Sequence, residues 1–205
     1  MTDIRRELIK IGDDLAVDFA NTVYAARDPA GALRSWPDLI DFLELRGAVT
    51  AADGTRLRAM GETDARRCAS AFGHAVEFRE TIRAMLAALV TKRPLQAKWV
   101  GEVNRALSWG AGADRLVRQG AGWRLAFAPD HADPVRVLAP IARSIADLAT
   151  RGRGVEIRKC ANPRCVRYFR DASRTRRRRW CSMAICGNRM KVAAHAKRRR
   201  ALASG

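Results

Sequence analysis

The sequence predicts a mainly α-helical chain with one small β-hairpin. This is an α+β fold in which a helical N-terminal domain precedes a compact module built on cysteines. Three observations carry that expectation. Apolar residues recur at steps of three and four through most of the first 150 positions, the period of an amphipathic helix. The period shifts to two near residue 115, as strands require. Four of the five cysteines fall between Cys160 and Cys186, in a tail crowded with arginine.

Each element has its own local signal. Residues 12–24 offer Leu15, Val17, Phe19, Ala20 and Val23, a pattern open to helix or strand. A helix would set Asp18 and Asn21 on one side, three positions apart. Burying such a pair demands fixed hydrogen bonds, so the two form an internal polar lock or contact a ligand. Ser35-Trp36-Pro37-Asp38 opens a helix with Ser35 as cap and Pro37 in its first turn; Gly47 stops it. A turn at Asp53-Gly54 is expected before a short helix through Leu57 and Met60.

The longest periodic run starts near Asp64 and passes through Cys68, Phe72, Ala75, Phe78, Ile82, Met85 and Leu89. It predicts a helix of up to about 28 residues ending before Pro94. Cys68 falls among its core positions and His74 stands alone on it, while Glu77, Arg79 and Arg83 are placed on its wet side. Pro94 is expected to start the next helix, with Leu95, Trp99, Val103 and Leu107 in register. Residues 115–118 and 123–127, joined by Gln119-Gly120-Ala121-Gly122, read as the hairpin. Asp133-Pro134 caps a last helix through Leu148, and Arg151-Gly152-Arg153-Gly154 is the natural hinge. The expected division is therefore 1–150 and 155–205.

The cysteines of the tail read C-x4-C-x15-C-x4-C: Cys160, Cys165, Cys181 and Cys186. Two short-spaced pairs joined by a medium linker suit one tetrahedral zinc ion, with thiolates about 2.3 Å from the metal. Four soft ligands with no histidine or carboxylate describe a closed, structural site. Two disulfides would need an oxidising compartment, and Thr2–Glu7 has no export signal after it. Iron–sulfur clusters use closer runs of cysteine.

Charge divides the chain in the same place. From residue 151 onward there are 18 Lys and Arg against Glu156 and Asp171, leaving 21 basic and 19 acidic groups for the first 150 residues. Of the net charge of +18, +16 therefore belongs to the tail. Such asymmetry points to a polyanionic partner.

On these residues the tail resembles the CGNR zinc finger: Cys186-Gly187-Asn188-Arg189 stands behind spaced cysteines, a basic run and Trp180-Cys181-Ser182-Met183, and ahead of Lys191 and His195. It departs from that pattern at Val166-Arg167-Tyr168-Phe169, where a Trp and fewer charges are expected. Leu15-Ala16-Val17-Asp18-Phe19-Ala20-Asn21-Thr22 looks like the L-x-x-D-F-x-N-T signature of the ABATE domain. That domain commonly precedes the CGNR finger in bacterial proteins regarded as stress-induced transcriptional regulators. Within the finger, Val155–Ile157 reads as a strand and Ala161–Arg164 as the metal knuckle. A ribbon around Tyr168-Phe169 and Arg179-Trp180 and a helix from about Ser182 complete an order that resembles a treble clef.

The chemistry expected of this tail is nucleic-acid binding, DNA first and RNA as the variant. Arg174, Arg176, Arg177, Arg178 and Arg179 are expected on phosphates, giving salt-dependent affinity without specificity. A basic helix pinned by zinc at one end is suited to a major groove, with Asn188, Arg189, Lys191, His195 and Arg198 as its candidate contacts. Asn188 and Arg189 are equally open to a structural role in the turn over the zinc. The first 150 residues carry no G-x-S-x-G, H-E-x-x-H or phosphate loop, so no enzyme is expected. They read instead as a part that senses a small molecule or partner, or that dimerises. The alternative is an enzyme pocket containing Asp18, Asn21 and a carboxylate such as Glu77. No run of apolar residues is long enough to span a bilayer, and a cytosolic, nucleoid-associated setting fits free thiols.

Overall fold

Residues 15–20 settle as helix rather than strand, and they are almost wholly buried. In the computed structural model, which describes residues 14–23, 31–119, 122–127, 133–151 and 156–203, α1 is Leu15–Ala20 and buries Ala16 through Ala20. A six-residue helix satisfies few of its own polar groups, so its ends are served by neighbours. The Ser144 hydroxyl accepts from the Ala16 amide at 3.0 Å, and the Arg83 guanidinium donates to the Ala20 carbonyl at 2.8 Å.

In chain order the body continues with α2 (Trp36–Leu45), α3 (Ala51–Thr63), α4 (Ala65–Val90), α5 (Ala97–Trp109) and α6 (Ala139–Thr150), of which α4 and α6 pack directly on α1. Ser35 caps α2 as expected, accepting from the Asp38 amide. Asp53-Gly54, expected as a turn, lies inside α3. Thr50 is the cap there and Asp53 its reciprocal partner, the Thr50 hydroxyl accepting from the Asp53 amide at 3.1 Å and donating to its carboxylate at 2.6 Å. An added Cβ at Gly54 would lie 2.5 Å from the Glu44 carboxylate, which pairs with Arg58 at 2.8 Å.

The long helix α4 has 26 residues, with Asp64 as its cap. Two of its wet-side assignments fail: Arg83 is mostly buried against Ala20 and Tyr168, and Arg79 is 1 % exposed. Its guanidinium donates to the Thr22 hydroxyl at 3.2 Å, at the carboxyl end of α1, where a cation complements the free carbonyls. The helix expected at Pro94 starts at Ala97. β1 (Asp114–Gln119) and β2 (Gly122–Phe127) pair antiparallel from Asp114↔Phe127 to Gln119↔Gly122. The last helical stretch divides into a 3-10 turn, Pro134–Leu138, and α6. The Gly120-Ala121 turn and residues 152–154 of the hinge lie outside the described residues. Among those described, no helix is long and apolar enough to cross a membrane.

The finger supplies β3 (Ile157–Lys159), β4 (Tyr168–Arg170), a π turn (Met183–Gly187) and α7 (Asn188–Ala203). The ribbon forms between β3 and β4, with Ile157↔Arg170 and Lys159↔Tyr168 as its limits. Arg179-Trp180, expected to be its second strand, instead meets the knuckle through one bond, the Ala161 amide to the Arg179 carbonyl at 2.9 Å. β4 alternates sides as a strand must. Tyr168 joins the core of the helical body with Ile157, while Phe169 joins the cysteines.

Candidate metal centre and its basic surroundings

Four Sγ atoms converge where the knuckle, the loop end and the π turn meet. Those of Cys160, Cys165, Cys181 and Cys186 all lie within 4.8 Å of one another, with Cys165–Cys181 at 3.8 Å and Cys181–Cys186 at 3.7 Å. Tetrahedral thiolates at about 2.3 Å from zinc stand about 3.8 Å apart, so the cluster fits that ion. No disulfide joins these cysteines. Charge reinforces the argument, because four sulfurs at this spacing cannot all ionise unaided. The Cys181 thiol pulls Cys165 down to about 5; the same contact, then burial, pushes Cys181 far up. Burial raises Cys160 too. A dication removes the conflict and holds all four as thiolates.

Local sequence explains why the ligands turn inward. Asn162 is buried and its side-chain carbonyl accepts from the Arg164 amide at 3.1 Å, tightening the knuckle. Its amide points at the Cys186 sulfur at 3.5 Å, and the Cys181 amide points at the Cys160 sulfur at 3.4 Å. Such N–H···S contacts orient ligands and disperse their charge. Ser182 caps the π turn, and the Gly187 amide reaches back to the Ser182 carbonyl at 3.0 Å. A Cβ on Gly187 would sit 3.2 Å from the Trp180 ring and closer still to the exposed Met183 side chain, so a larger residue here requires both to shift.

The five arginines before Trp180 are not equivalent. Arg178 is partly buried and engaged inside the finger. Its amide donates to Asp171 at 2.8 Å, its guanidinium to the carbonyls of Trp180 (2.9 Å) and Cys181, and it lies 4.7 Å above the Phe169 ring. Burial pushes the Asp171 carboxyl up. Hydrogen bonds from Ser173 and the Arg178 amide, with the Arg158 guanidinium, outweigh it and hold the group below the usual carboxylate range. Arg174, Arg176, Arg177 and Arg179 are exposed, Arg179 lying 5.1 Å over Trp180. On α7, Asn188, Arg189, Lys191, His195 and Arg198 are all exposed. Asn188 folds back on the Ala184 carbonyl at 3.2 Å, which favours its structural role.

Asp18 and Asn21 are engaged as internal locks. Asp18 is paired with Arg46, both nearly buried. The Asn21 side chain donates to the Tyr168 carbonyl at 2.7 Å and accepts from the Tyr168 amide at 2.8 Å. Arg83 reinforces the junction 5.8 Å over the Tyr168 ring, and Asp14 pairs with Arg170 at 3.4 Å. The signature thus docks the finger on the helical body. Sequence reasoning missed that role because Tyr168 is 147 positions away. Glu77 lines a separate cleft with His74 and Trp109, so the pocket imagined around Asp18, Asn21 and Glu77 does not assemble.

A helical body docked on a four-cysteine finger defines a zinc-finger protein in two parts. Residues 13–152 match the ABATE family, described as "Putative stress-induced transcription regulator", and residues 156–199 match the CGNR zinc finger. The protein belongs to the ABATE family and carries a C-terminal CGNR finger. No curated protein matches the chain.

Proposed function

We propose that the protein is a DNA-binding transcriptional regulator with one structural zinc ion, whose helical body senses a ligand or partner and catalyses no reaction. The observation that carries this reading is α7. It has 16 residues, among the described elements it packs chiefly against the π turn, and its described side chains are exposed apart from the half-buried Met190. An isolated helix of that length is marginal in water. A basic one, held by a metal at one end and open along its length, suits a groove of nucleic acid. Arg174, Arg176, Arg177 and Arg179 flank the same module and supply phosphate contacts. In this reading Arg189, Lys191, His195 and Arg198, all exposed on α7, supply the base contacts.

The test presents zinc-loaded full-length protein with random duplex DNA and structured RNA libraries at about 0.15 M salt. An enriched DNA motif is the expected result. Enrichment of RNA alone would transfer the finger to RNA. Sequence-blind binding that vanishes with salt would reduce the tail to an electrostatic anchor and overturn the regulatory reading.

A further inference from the structure

A large cleft bounded by described residues lies between the helical body and the finger. Its volume is about 1010 Å³, at the upper end of the roughly 300–1,000 Å³ typical of small-molecule sites, which favour domain junctions. Its apolar surface comes from the carboxyl ends of α4 and α6, at Leu89, Val90, Leu148 and Ala149, and from Ile157 of β3. Lys92, Lys159, Arg176 and Arg179, all exposed, stand round it. The one acid on its wall, Glu156, is paired with Arg158 at 2.5 Å.

A second observation singles out two of those cations. Among the described residues, Lys92 and Arg176 are the non-glycine residues with positive φ, at 56° and 48°. Both line this cleft. Lys92 closes α4: its amide bonds to the Leu89 carbonyl at 3.2 Å and the Arg93 amide to Ala88 at 2.9 Å. That helix ending is usually made with glycine. Arg176 ends a turn from Ser173, and its carbonyl accepts from Arg158 at 2.6 Å. Glycine would adopt either conformation more easily. Long cations held at two such positions, from different parts of the chain and around one cleft, point to their side chains as the reason.

We propose that this cleft binds a small anionic amphipath, with its apolar body against Leu89, Leu148 and Ile157 and its carboxylate-type or phosphate-type head among Lys92, Lys159 and Arg176. The site deepens the ligand-sensing part of the proposed function, moving it from the helices alone to their junction with the finger. Arg176 and Arg179 belong both to the cleft and to the proposed phosphate-contacting surface. A bound anion therefore competes for them, and that consequence alone rests on the nucleic-acid reading.

Sodium decanoate below its micellar concentration is the probe, titrated into zinc-loaded full-length protein and followed by amide chemical shifts. Decyltrimethylammonium supplies the same chain with opposite charge, and inorganic phosphate the head alone. Saturable shifts at Leu89–Lys92, Ile157–Lys159 and Arg176 are expected with decanoate and not with either control. Lys92→Gly and Arg176→Gly together should leave thermal stability equal or higher, since glycine relieves both backbones, while weakening decanoate about tenfold or more. Lys92→Gly alone, which leaves every finger residue in place, should show part of that loss. Unchanged affinity in the double variant would overturn the site, as would equal binding of the cationic amphipath. Equal shifts with phosphate alone would leave only an anion rim belonging to nucleic acid. Decanoate binding by a protein that fails to bind DNA would uphold the cleft and discard the regulatory reading separately.

Discussion

Asn21 uses both ends of its carboxamide on one peptide, the backbone of Tyr168. An unpaired buried donor or acceptor costs about 1–3 kcal/mol, so Asn21→Ala should destabilise the protein by about 2–4 kcal/mol and speed hydrogen exchange at the Tyr168 amide. A loss under about 1 kcal/mol, or unaltered exchange, would mean that the clamp is incidental. The rest of the signature works the same way. Phe19 packs on Phe42 at 5.6 Å, Asp18 neutralises Arg46, and Thr22 donates to the Phe19 carbonyl while accepting from Arg79. Sequence reasoning could see that Asp18 and Asn21 needed partners, because burial of polar groups demands them. It could not name Arg46, Arg79 or Tyr168, because those pairings cross the fold. Arg79 was misplaced for a related reason: periodicity assigns a helix one wet side, and here that side meets the end of another helix.

At the scale of elements, a run of arginines gives no periodicity by which to sort its members, and only the loop geometry separates Arg178 from its neighbours. Arg178→Ala removes the donors to Trp180 and Cys181 and the cover over Phe169. It should weaken zinc retention against a competing chelator by about 1.5–3 kcal/mol, the range for hydrogen bonds to charged groups. Arg177→Ala should leave zinc retention unchanged and lower the salt slope of DNA binding by about 0.9, one phosphate contact. Equal effects of the two changes on zinc would contradict the division. The four ligands and the Ser182 cap were legible, since cysteine spacing and capping act over a few residues. The π turn was not. It arises because Cys186 must face the metal while Gly187 passes close to Trp180, a demand set by the partners in space. The long helix α4 was read to within a few residues because its periodicity is sustained.

Over the whole molecule, a division at 150 and 155 separates stretches of sequence that share one core. Ile157 and Tyr168 pack with the residues of α1 and α4, and β4 is held by Asn21, Arg83 and Asp14. Stripping zinc with a chelator should disorder residues 156–203, because metal binding and folding are coupled in small zinc modules. The loss should reach further: α1 gives up its clamp, and the body exposes apolar surface that Tyr168 and Ile157 now cover. A loss of about 2–3 kcal/mol lowers the melting temperature of a chain of this size by roughly 5–10 °C. The decisive comparison is Asn21→Ala with and without metal. If the clamp transmits zinc loading to the body, the substitution lowers the melting temperature of the loaded protein and leaves that of the stripped protein unchanged, a non-additive cycle. A body that melts at one temperature whatever the zinc content would show instead that finger and body are independent units joined only by the chain.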